Sequence, residues 1–164
     1  MSVEAVRRIL LRDLAALRRE VEAYERDADL WVCPPGVTNP TGTLALHLAG
    51  NLRHFVGAQL GGTGFVRDRE AEFGDRNVPR ATLLAHIADA VEQVDRALSD
   101  LPETRLATTY PLEVGGVRLP TGTFLLHLAT HFAYHLGQVD YHRRLVTGSA
   151  QTVGAQAIPE LAGP

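Results

Sequence analysis

The stretch Phe124-Leu125-Leu126-His127-Leu128-Ala129-Thr130-His131-Phe132-Ala133-Tyr134-His135-Leu136-Gly137-Gln138 decides how this chain is read. It has no proline and no charged residue, and its apolar side chains recur at helical spacing. A helix is expected to start at Thr121 or Thr123 and to end before Gly148, a good C-terminal cap. Such a helix sets His131 and His135 on one face, one turn apart, close enough to share a metal ion. His127 lies one further turn back.

Three more helices are expected. Leu10, Leu14, Leu17, Val21 and Tyr24 make one apolar stripe over about Val3 to Arg26. Pro34, Pro35, Gly36 and Pro40 break the chain, and a second helix runs from Thr41 or Thr43, both capping residue types, to about Leu60. The third covers Arg80 to Ser99, with Leu84, Ile87, Val91, Val94 and Leu98 as its buried face. Residues 65–79 read as a charged connection, and Tyr110 to Leu119 as a short hairpin turning at Gly115-Gly116. The sequence is thus all-α, a four-helix bundle over residues 1–148. An extended or partly disordered tail follows over 149–164, rich in Ala, Gly and Pro. Pro40 to Ala49 and Pro120 to Ala129 echo each other, differing at two of ten positions, which reads as a shared capped helix start.

Composition narrows the function. A chain of 164 residues with 45% apolar content and a net charge of -3 suits one globular domain and not a nucleic-acid partner. The absence of a long apolar run or signal-peptide core makes a membrane partner unexpected and a cytoplasmic location the default. Cys33 stands alone in a loop-like context and reads as a structural thiol.

Two histidines do not complete a metal site. His47, among Leu44, Leu48 and Leu52 on the second helix, is the best-placed third ligand, with His127 as its rival. Three imidazoles suit zinc or nickel and leave positions open for water or substrate. Phe132 follows His131, so no His-Glu-x-x-His zinc-protease motif exists, and no Glu-x-x-His motif points to a di-iron bundle. Asn51, His127 and Gln138, each one turn from a candidate ligand, are candidate hydrogen-bond partners of the ligands. His54 reads as exposed or locally hydrogen-bonded, and His86 and His142 as solvent-facing.

Two motifs carry a resemblance: Thr43-x-x-x-His47-Leu48-Ala49-x-Asn51-Leu52, and His131-x-x-x-His135-x-Gly137-Gln138. Over about Val3 to Gly148 the sequence resembles the DinB-like (YfiT-like) proteins, which include bacillithiol and mycothiol S-transferases. The resemblance implies up-down-down-up topology, one divalent ion at an end of the bundle held by His47, His131 and His135, and a homodimer. It also implies chemistry between a small-molecule thiol and an electrophile. A metal-dependent hydrolase, or a non-catalytic metal-binding protein of the stress response, is the alternative. Many relatives carry a second histidine where this chain has Tyr134, so the role of that residue does not transfer.

Overall fold

The computed structural model describes residues 2–162 and is all-helical, without strands among those residues. Helix α1 spans Val3–Glu22, α2 Thr41–Leu52, α3 Arg69–Gly74, α4 Arg80–Ser99 and α5 Thr121–Thr147. The stripe predicted for the first helix is buried throughout, from Leu10 to Tyr24, although the helix ends at Glu22 and not near Arg26. On α4 the buried face is rotated slightly from the one expected. Leu83, Ile87, Ala90, Val94, Ala97 and Leu98 are buried, whereas Leu84 and Val91 are only partly so. Ala90 and Ala97 are small side chains that a stripe drawn through the largest residues passes over.

The helix starts differ in one detail from expectation. Pro40 and Pro120 occupy the N-cap positions without a side-chain cap, and Thr41 and Thr121 are the first helical residues. Thr41 is buried and bonds Tyr24 instead. Gly148 ends α5 in the left-handed region, at φ 70°, where a side chain would add strain. The hairpin is reduced to a turn. Gly115 and Gly116 take positive φ, and only two isolated bridges form, Val114 with Val117 and Thr109 with Pro120. Pro111 and Pro120 have no N–H to extend a ladder.

Polar contacts fix the direction of each long helix. Val3 N donates to Glu103 Oε1 at 2.9 Å and Arg7 pairs with Asp95, so the start of α1 meets the end of α4. Tyr24, just past α1, bonds Thr41 at the start of α2 and His142 near the end of α5. The order is therefore up-down-down-up, and α1 and α2 each lie between α4 and α5. Arg143 of α5 is buried against Glu20 of α1 and also donates to Gln151 O, so one guanidinium joins both helices to the chain after α5. That segment runs back along α1. Arg19 donates to Val153 O, and Arg8 to Leu161 O. Met1, and the last two residues of the expected tail, Gly163 and Pro164, lie outside the described residues. No helix of the described residues is long and apolar enough to cross a membrane.

His142 is buried, not solvent-facing as the sequence suggested. Its Nε2–H donates to Val32 O at 2.7 Å, which leaves Nδ1 to accept from Tyr24 Oη at 2.7 Å, while Thr41 Oγ1 donates to Tyr24 Oη at 2.7 Å. Burial pushes its pKa below the ordinary value, partly offset by the bond to Val32. The unfolded chain therefore binds this proton more readily than the fold does. Its contribution to stability is complete above the ordinary value of about 6.5 and is lost as the pH falls toward the lower folded value. Urea unfolding at pH 7.5 and 5.5 is expected to show lower stability at pH 5.5. His142→Gln is expected to lower stability at pH 7.5 and flatten this slope.

Candidate metal centre

Helices α2 and α5 run antiparallel, and their facing residues step in opposite directions. Thr41 meets His142, His47 meets His131, and the Phe55 ring lies 5.2 Å from that of Phe124. His47 thereby faces the one-turn pair His131 and His135. One ligand atom from each of the three lies within 4.8 Å of the others. The rings converge nearly edge-on, at 76°, 86° and 83° to one another. This arrangement sits part-way along the α2–α5 groove and not at an end of the bundle, where the resemblance had it.

The donor set fits a divalent ion. His47 Nε2 and His131 Nε2 are 3.4 Å apart. Nitrogens bound tetrahedrally to zinc at about 2.0–2.1 Å lie about 3.4 Å from each other. Burial, then the neighbouring imidazoles, push His131 down to about 4, and burial also lowers His135. Both rings are therefore neutral at neutral pH, with lone pairs available. His47 is buried while His131 and His135 are half-buried, so the centre has an inner wall and an open side. His135 Nδ1 donates to Gln138 Oε1 at 2.7 Å, which leaves its Nε2 bare. Beyond Gln138 opens a cavity of about 330 Å³, lined by residues 36–39 with Gln138, Tyr141, His142 and Leu145.

The other candidates fall elsewhere. His127 is exposed, stacked on Phe124 and 6.0 Å from the His131 ring; it is neither in the cluster nor a core residue. Asn51 is buried one turn after His47, but the polar contacts of the three histidines are with Glu72, Arg67, Gln138 and one another and not with it. His54 is half-buried against Phe55, and its Nδ1 has no partner among the described residues. His86 is half-buried beside Arg53 Nη1, at 3.1 Å, and not solvent-facing. His54 and Phe55 lie in a wide π-helical turn, Arg53–Ala58, that continues α2. Such turns are frequent at functional sites.

Two residues that the sequence did not single out touch the centre. The stretch read as a charged connection contains α3, capped by Asp68, which accepts from Ala71 N, and delivers a buried Glu72. Glu72 Oε2 lies 3.1 Å from His47 Nδ1, and Arg67 donates from Nε and Nη2 to both carboxylate oxygens at 2.6 Å. Asp68 followed by Glu70 and Glu72 is a helix-start signature that could have located α3. Nothing in the sequence marks Glu72 as the inward member of that acidic set.

A family model described as the DinB superfamily matches residues 9–139, a span that includes all three histidines, Arg67 and Glu72. No curated protein and no solved structure matches the chain.

Elemental analysis of protein purified without an affinity tag is expected to find one divalent ion per chain. His131→Ala and His135→Ala should remove it, whereas His127→Ala should leave the stoichiometry unchanged.

Proposed function

The chain belongs to the DinB superfamily, and on that premise we propose that it is a metal-dependent enzyme that joins a low-molecular-weight thiol to an electrophile. The observation that supports this most is the set of three convergent histidines with an open side, one of them bonded to Gln138, which lines a cavity of about 330 Å³. His47, His131 and His135 would hold the ion, zinc or nickel by their donor type. A divalent ion bound here supplies the positive charge that keeps a thiol in its nucleophilic thiolate form at neutral pH.

The residues of the chain do the rest. Three uncharged ligands leave the centre's charge uncompensated by the imidazoles, which favours an anionic sulfur. Gln138 orients His135 and also lines the cavity, so the substrate would sit beside a ligand's own hydrogen-bond partner. The thiolate sulfur donates an electron pair to the electrophilic carbon, and a C–S bond forms. The leaving group departs with the electrons of the bond it breaks, and the thiol proton passes to solvent. Metal-assisted hydrolysis finds less support. It needs a general base, and Glu72 is held on the Nδ1 side of His47 with both oxygens engaged by Arg67. Leu126, Tyr134, Tyr141 and Leu145 leave an apolar face of α5 exposed, which supports a homodimer and would give twice the chain mass in light scattering.

Metal-loaded protein is to be assayed with bacillithiol, mycothiol and glutathione against a chlorodinitrobenzene electrophile. At least one thiol is expected to be consumed, with the rate falling to background after chelation or in His131→Ala. Consumption of none by the metal-loaded protein would remove this reading.

A further inference from the structure

We infer that Glu72 and Arg67 are positioning residues for the metal centre: Glu72 holds the His47 proton on Nδ1, and Arg67 holds Glu72. A carboxylate oxygen only accepts, so the 3.1 Å contact from His47 Nδ1 to Glu72 Oε2 requires the proton on Nδ1. His47 Nε2 is then bare and faces His131 Nε2, the orientation that a shared ion needs. An acidic partner also makes the imidazole a stronger donor to a cation.

Three independent features support the carboxylate in this place. Glu72 and the Arg67 side chain are both largely buried, and the two parallel bonds at 2.6 Å fix the carboxylate plane as a fork. Gly50, one turn after His47 on α2, leaves the space that Glu72 fills; a Cβ there would come within 2.9 Å of Glu72 Cδ and closer still to Oε1. Asp68 fixes the start of α3 and so sets the position of Glu72 along α2. A segment of the chain with few buried apolar residues is thus fastened at His47 by polar bonds.

The structure also defines the competing arrangement. Arg67 Nη2 is 3.2 Å from His47 Nδ1. With Arg67 as donor to Nδ1, the proton would sit on Nε2 and point at His131, closing the centre. Arg67 Nη2 carries two hydrogens, and our inference gives one to Glu72 Oε2 at 2.6 Å and neither to His47, whose Nδ1 lies slightly closer to Glu72 Oε2, at 3.1 Å.

The inference rests on the three-histidine centre for its effect on metal binding, but not for the tautomer. Long-range nitrogen–proton NMR of the metal-free protein reads the tautomer directly. The expected result is Nδ1–H on His47 in the native chain and a shift toward Nε2–H in Glu72→Gln, which keeps the shape of the side chain. Zinc affinity, measured by chelator competition, is expected to fall roughly 10–100-fold in Glu72→Gln and in Gly50→Ala, with partial recovery in Glu72→Asp. Circular dichroism checks that each variant is folded; should Gly50→Ala fail to fold, the isosteric Glu72→Gln keeps the test. Nε2–H on His47 in the native protein overturns the inference. So does a Glu72→Gln affinity within about twofold of native. A native chain that binds no zinc defeats the metal reading instead, and the tautomer result still decides the role of Glu72.

Discussion

The antiparallel seam between α2 and α5 is the constraint on which the rest depends. It sets Thr41 beside His142, His47 beside His131, and Phe55 beside Phe124. A helical pair at i and i+4 supplies two imidazoles on one face, but only the seam brings a third from another helix. Slip one helix by a turn and His47 would face a different residue, while most of the apolar packing could re-form. The polar contacts at Tyr24, Thr41 and His142 resist that slip, because each buried group would lose its partner. The register of the centre is therefore set two turns away, by a network that contains no metal ligand.

Around the centre, each polar contact answers one question of orientation. Gln138 settles which nitrogen of His135 is bare, and Glu72 does the same for His47. Burial keeps His131 neutral without any such partner, holding its pKa near 4. On one side His135 bonds Gln138, which lines a neighbouring cavity, and on the other Glu72 of α3 stands against His47. Three protein ligands in place of four would leave a coordination position open, which is what separates a catalytic metal site from a structural one.

Much of this was legible in the sequence. The bounds of α4 and α5 were set by proline before Arg80 and glycine at 148, and both came out as read. His131 and His135 announced themselves by spacing on one uninterrupted helix. What stayed hidden was tertiary. Glu72 looks like Glu70 in sequence, and only the packing of α3 against Gly50 turns one inward. His142 looks like a polar residue near a helix end, and only partners distant in sequence, Tyr24 just past α1 and the Val32 carbonyl, make its burial tolerable. His47 and His127 occupy the same place in a near-repeated segment, yet one is buried and the other exposed. Local sequence fixes neither fate; the partner across the groove does.

X-ray absorption of the zinc-loaded protein tests the central claim most directly, because it counts ligand types around the ion. The account predicts three imidazoles, seen by their multiple-scattering signature, with the remaining positions taken by light atoms from solvent. A sphere with fewer than three imidazoles, or with sulfur from Cys33 or a protein carboxylate as a fourth ligand, would contradict it.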